Sequence, residues 1–256
     1  MTTPTTDKPR LSLRVKLGMY LRLLAVQGSW NYETLMGTGI GFVMEPALRQ
    51  LPGGLRGARY RSALARESRY FNAHPYLAGV AVGAFTRAEL DGVDPVRIER
   101  FRTALAGPLG SVGDRLVWAS WLPFCSLIGL CVYGAGGSPL AVVGIFLLLY
   151  NVGHFGLRAW ALQVGFSRGL NVASGLDNPV LRKGPQYIGS AAALVAGLSI
   201  PLAVERVVGP GKVQAGGIIV AALIGILLLA RLREHAAGWR IALGVLVLFV
   251  LYSVLI

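Results

Sequence analysis

Residues 116–133 read LVWASWLPFCSLIGLCVY and residues 140–157 read LAVVGIFLLLYNVGHFGL. Neither stretch holds an Asp, Glu, Lys or Arg, and only GAGGSP separates them. A helix needs roughly 20 apolar residues to cross the hydrocarbon core of a bilayer. Lipid offers no partner for the backbone, so a spanning segment must satisfy its amides internally, as a helix does. Two such runs joined by a short uncharged turn describe a helical hairpin in a membrane.

Working outward, three more runs approach spanning length: Tyr187–Val204, Gly216–Ala230 and Ile241–Ile256. Those on the short side are accommodated by local thinning of the bilayer or by interfacial flanks. Upstream of residue 104 the apolar stretches are short and interrupted, as at Leu21–Val26, Ile40–Val43 and Tyr76–Phe85. The bulk composition agrees. The 256 residues are 54% hydrophobic and 14% charged, with a mean hydropathy of +0.58, whereas about a quarter of a soluble domain is charged. The expected architecture is an all-α integral membrane protein. About five C-terminal transmembrane helices (104–256) follow a disordered tail (1–14) and cytoplasmic amphipathic or re-entrant helices (15–103).

Net charge is +13, from 25 Lys and Arg against 12 Asp and Glu. The bases sit between apolar runs rather than in one tract, which points to membrane loops and away from nucleic acid. Placing Arg97–Arg102 in the cytoplasm leaves the next loop, Ala135–Ser138, outside and uncharged. The loop Arg158–Lys183 then returns inside with Arg158, Arg168, Arg182 and Lys183, and Arg231, Arg233 and Arg240 lie inside again. The implied topology is five crossings, with the N-terminus inside and the C-terminus outside. Six arginines and one acid occupy Arg49–Arg69, a pattern that suits either a surface helix at anionic headgroups or a plain solvated helix. Cys125 and Cys131 lack metal-ligand spacing and do not report the compartment. Gly79/Gly83 and Gly107/Gly110/Gly113 have the spacing that lets helices approach closely in lipid.

Polar residues without an obvious excuse are the informative ones in such a chain. Four clusters qualify. QGSWNYE (27–33) brings Gln27, Trp30, Asn31 and Glu33 together between apolar stretches. It reads as the lining of a small-molecule site, since sugars are held by aromatic faces with amide and carboxylate partners, or as a polar helix end with interfacial aromatics. FNAHPYLAG (71–79) contains Asn72 and His74. Pro75 disfavours helix at His74, which predicts a break there. GPLGSVGDRLVW (107–118) is a glycine-rich, helix-breaking stretch leading to Asp114, which is a helix cap, a site residue or both. NVGH (151–154) places Asn151 and His154 on one helix face, with Arg158 following. That pair is a bundle-interior hydrogen bond or a functional lining. The chain has no GxxxxGK[ST], HExxH or CxxC motif, and GFSRG (165–169) matches GxSxG only in its letters, with no strand before it to form a nucleophile elbow, so neither covalent nor metal catalysis, nor a bound cofactor, is expected.

Taken in order, QGSWNYE, FNAHPYLAG, GPLGSVGDRLVW and NVGHFGLR (151–158) resemble the membrane subunit IID of the mannose/fructose/sorbose family of the phosphoenolpyruvate-dependent sugar phosphotransferase system. The likeness covers residues 15 to 256. It implies a multi-pass subunit in the bacterial inner membrane, hetero-oligomeric with a IIC membrane subunit and moving a hexose-type sugar. Cytoplasmic IIA and IIB subunits would carry the phosphoryl group, leaving this subunit non-catalytic. It further implies that Trp30, Asn31, Glu33, Asn72, His74 and Asp114 line the substrate path, with Gln27, Asn151, His154 and Arg158 as polar bundle residues. Two positions depart from the family pattern. Arg115 stands where relatives carry a small polar residue, and Leu122-Pro123 where they read Arg-Pro. A cation has moved from within the span to its beginning, which leaves open a non-transporting scaffold or sensor that recruits phosphotransferase-type cytoplasmic proteins.

Overall fold

The computed structural model describes residues 11–175 and 178–208. Among the described residues the chain is helical, with no strand beyond two isolated bridges. Ser12 accepts from the amide of Val15 and caps α1, Leu13–Leu23. There follow α2 (Gly37–Leu48), α3 (Ala58–Glu67), α4 (Ala78–Leu90) and α5 (Pro95–Gly113). The chain continues through α6 (Leu122–Gly134), α7 (Pro139–Arg168) and α8 (Pro179–Val208). Helices α5 and α7 start by the same rule, with Asp94 or Ser138 capping and a proline next, where its missing amide is no loss.

Among the described residues three helical stretches are long and apolar enough to cross a membrane: Pro95–Gly134, Pro139–Val172 and Leu181–Val207. They contain the first three predicted runs. The runs Gly216–Ala230 and Ile241–Ile256 lie outside the described residues, as do the first ten residues of the expected tail. The first stretch has 40 residues and is about 60 Å long at about 1.5 Å per residue. That is twice the hydrocarbon thickness of about 30 Å. A single crossing needs only about half of it.

Several expectations need correction. Gly107–Gly113 does not break the chain: α5 runs through it and Pro108, and π-helical turns over Asp114–Trp121 carry it into α6. Asp114 is consequently not at a helix start, so the capping role falls away. Ser120 replaces part of the lost backbone pairing there, donating to the carbonyls of Arg115 (2.8 Å) and Pro185 (3.2 Å). Arg158 is not in a loop. Helix α7 continues ten residues past it to Arg168, and Arg158 is buried, so it does not count towards loop charge. Within Arg49–Arg69 the α-helical part is Ala58–Glu67, preceded by Pro52-Gly53-Gly54 and a 3-10 turn that separate it from α2. Arg49 pairs with Glu45 and Arg66 with Glu89, leaving Arg56 and Arg61 exposed.

The predicted break at His74-Pro75 is present, between α3 and α4. Helix α4 is too short to span and almost wholly buried. Glycine makes its packing on α7 possible: a Cβ on Gly83 would sit 2.4 Å from the Phe166 amide nitrogen, and one on Gly165 2.2 Å from the Val80 carbonyl. Small residues of this kind let helices meet backbone to backbone in lipid. By contrast, Gly107 and Gly110 face nothing within 4 Å.

Candidate functional site

The α4–α7 contact brings the loop before α4 against three turns of α7. Tyr150, His154 and Arg158 recur at intervals of four on α7 and share a face. The Tyr76 ring stacks on His154, with centroids 4.3 Å apart, and its hydroxyl lies 2.7 Å from that of Tyr150. The Arg158 guanidinium lies 4.8 Å from the centroid of the Tyr76 ring, a favourable cation–π placement away from water. Arg158 also donates from Nε to His154 Nε2 (2.8 Å) and to the carbonyl of Leu23 at the end of α1. His154 then carries its proton on Nδ1, facing Asn151 Oδ1 at 3.4 Å.

His74 closes the cluster from the opposite side. Its Nδ1 accepts from the Tyr76 amide (3.2 Å), which places the proton on Nε2. That Nε2 is buried with no partner among the described residues. Trp118, from the π-helical turns, lies 5.1 Å from the His74 ring. Burial, reinforced by the Arg158 charge, pushes His74 down to about 4, so the imidazole is neutral near pH 7 and Nε2–H is a free donor. Gly113 is required here because a Cβ would come 2.1 Å from that of His74. A cleft of about 150 Å³ opens beside the cluster, lined by Tyr76, Leu116, Val117, Trp121, Gly153, His154, Leu157 and Ile188.

The first motif joins this assembly through the backbone. Phe71 donates to the Thr34 carbonyl (3.2 Å) and Met36 donates to the Phe71 carbonyl (3.0 Å), tying residues 27–36 to 70–74. Leu35, at this junction, has φ of +49°, a conformation that costs a branched side chain and that recurs near working sites. Asn31 is used up locally: Oδ1 accepts from the amides of Glu33 and Thr34, and Nδ2 donates to Ser29 and Thr34. Trp30 and Tyr32 pack edge to face, 4.9 Å apart, and with Gln27, Glu33 and Asn72 are exposed at this end of the bundle.

Of the six path candidates, then, only His74 enters the buried cluster. Trp30, Asn31, Glu33 and Asn72 lie on the paired loops outside it, and Asp114 is exposed on the π-helical segment with no partner among the described residues. The bundle candidates Asn151, His154 and Arg158 are in the cluster, whereas Gln27 is not. Tyr76, Trp118, Trp121 and Tyr150 went unnoticed in the sequence. The one available signal was the interval of four linking Tyr150 to His154 and Arg158. Among the described residues no three His, Cys, Asp or Glu side chains gather to hold a metal. Aromatic faces, neutral imidazoles and hydroxyls instead suit binding of an uncharged polar molecule.

Fold and site together define a helical integral membrane protein with a polar, aromatic-lined cluster where a short buried helix meets a long apolar one. Residues 11–229 match the PTS system mannose/fructose/sorbose family IID component, and the chain belongs to that family. It is 29% identical over 219 residues to the PTS system mannose-specific EIID component of Escherichia coli K12, covering 80% of this chain and 76% of that one. Two solved structures share the fold at 22% identity. One, titled "Structure of membrane protein", has a TM-score of 0.71 and covers 96% of this chain and 98% of its own. The other, a cryo-EM complex of the mannose transporter ManYZ with microcin E492, has a TM-score of 0.57 and covers 95% and 97%.

Proposed function

We propose that this chain is the IID-type membrane subunit of a sugar-transporting phosphotransferase permease, forming the translocation unit with a IIC subunit. IIA and IIB subunits supply the phosphoryl group, and no nucleophile of this chain takes part. The observation that carries the reading is convergence. Four stretches spread over residues 27 to 158 meet at one end of the bundle, tied by the 34–36/71 backbone pairing and the Tyr76–His154 stack. We further assign five crossings over residues 104–256, preceded by a helical layer on the cytoplasmic side, with the N-terminus inside and the C-terminus outside.

In this reading the exposed Trp30, Glu33 and Asn72 and the buried His74 line or gate a path shared with IIC, with Asp114 on the adjoining π-helical turns. Coexpression with a neighbouring IIC candidate, followed by co-purification and sugar uptake, tests it. Uptake that needs both chains and falls in H74A supports the assignment, whereas failure to associate with any IIC subunit sinks it.

A second reading, a scaffold that recruits phosphotransferase-type cytoplasmic proteins, is favoured by the exposed Arg56 and Arg61. The triple variant R56Q/R59Q/R61Q separates the two. Lost recruitment with intact uptake favours the scaffold, and lost uptake with intact recruitment removes it.

A further inference from the structure

Helix α1 buries Met19 and Leu23 against the bundle but leaves a second apolar stripe uncovered. Leu13, Leu17, Leu21 and Leu24 are 82%, 53%, 54% and 41% exposed. The helix lies across the end of α7: Tyr20 donates to the Phe155 carbonyl (3.1 Å), and Lys16 Nζ stands 5.8 Å from the Phe166 ring centroid. Here the apolar run 140–157 ends, and Arg168 closes α7 just beyond. Between α1 and α7 runs an open groove of about 200 Å³, walled by Leu11, Leu13, Leu17, Ala159, Leu162 and Phe166.

Lys16 is the one charged residue on its wall. Neither Lys16 nor the exposed Arg14 has an ion pair among the described residues, and α1 contains no acid. A leucine stripe with unpaired cations beside it, laid across a spanning helix, is the pattern of an interfacial helix on an anionic surface.

We propose that the α1–α7 groove is a binding site for an anionic phospholipid. One acyl chain lies along Leu13, Leu17, Leu162 and Phe166, and the phosphate is held by Lys16. The site is independent of any sugar path, so it stands or falls apart from the transport reading.

The test uses the full chain, purified from membranes with any subunit that stays bound. Binding of phosphatidylglycerol and phosphatidylcholine is compared in mixed micelles by native mass spectrometry. The unaltered chain should favour phosphatidylglycerol, and K16Q should lower that preference about fivefold, the effect of one lysine near an anionic surface. K16R should keep it. A159F, which fills the groove without changing charge, should reduce bound lipid of both kinds. R56Q/R61Q, far along the sequence in the arginine layer, should change nothing. Equal retention of the two lipids by the unaltered chain overturns the proposal. So does a K16Q variant with unchanged preference, or soluble glycerol phosphate competing as well as the lipid.

Discussion

Arg102 and Glu67 meet 2.7 Å apart, and both side chains are almost wholly out of solvent. Arg102 also donates to the carbonyls of Glu67, Arg69 and Tyr70 and lies over the rings of Phe71 and Phe85. One α5 residue thereby clamps the turn that leads from α3 to Phe71 and the paired loops. R102A strands a carboxyl oxygen and three carbonyls, and losses of this kind run about 3–5 kcal/mol. The thermal midpoint of the detergent-solubilised chain should drop sharply, and R102K, which cannot fork to four acceptors, should recover little of it.

Glu67 itself gives a pH signature. Burial pushes its carboxyl up to about 8, Arg102 pulling the other way and Glu89 adding to the rise. A carboxyl raised on folding contributes stability that is full below about 4.5 and is lost as pH climbs through 8. Between about 6.5 and 8, above the range in which His74 titrates, thermal midpoints should therefore fall with rising pH in the unaltered chain. E67Q, which cannot ionise, should flatten the trend, and because it leaves the buried Arg102 without its carboxylate its midpoint should lie below that of the unaltered chain near neutrality.

His74 predicts the opposite slope. Its pKa falls on folding, to about 4, so the unfolded chain takes up the proton first as pH drops below 6.5. This contribution to stability declines between about 6.5 and 4 and offsets the Glu67 slope where the two windows overlap. H74Q should remove that slope while leaving the alkaline one from Glu67 intact, and a midpoint series from pH 4 to 9 reads both.

The two glycine sets differ in sign. G83A drives a Cβ into the Phe166 amide and Leu162 carbonyl, both backbone, and overpacking of this sort costs about 1–3 kcal/mol. G107A meets nothing within 4 Å and gains helix propensity, worth roughly 0.5–1 kcal/mol. Midpoints should fall for the first and hold or rise for the second.

That contrast marks where sequence reading reaches its limit. Both glycine groups have the spacing of close helix contacts, yet Gly107 and Gly110 face nothing while Gly79, Gly83 and Gly113 each meet a neighbour, because facing is decided by the fold. Apolar length located the first three spans, and Pro75 located the break at His74, since both are local effects. The continuity of α5 through Gly107–Gly113 was hidden because local helix weakness was outweighed by packing of Leu105, Leu109 and Gly113. Arg158 read as a loop charge because nothing nearby in the chain announces that Tyr76, Leu23 and His154 will surround it. The cluster was half legible: the α7 residues share a periodic face, while Tyr76 and Trp118 arrive only through tertiary contact.

Tyr76 and Tyr150 offer the sharpest probe of that cluster, because their hydroxyls pair across 74 residues of chain. Removing either hydroxyl leaves the other in a dry site, so Y76F and Y150F should each cost about 1–3 kcal/mol by stranding a buried polar group. The double variant has no stranded hydroxyl and should cost clearly less than the sum, giving a favourable coupling energy of about 0.5–3 kcal/mol. Uptake adds a second readout. A path lined by this cluster predicts that the double variant, though restored in stability, transports with weakened apparent sugar affinity. A purely structural pair predicts that uptake recovers along with the midpoint, and that outcome would move the sugar path away from Tyr76 towards the exposed loop of Trp30 and Glu33.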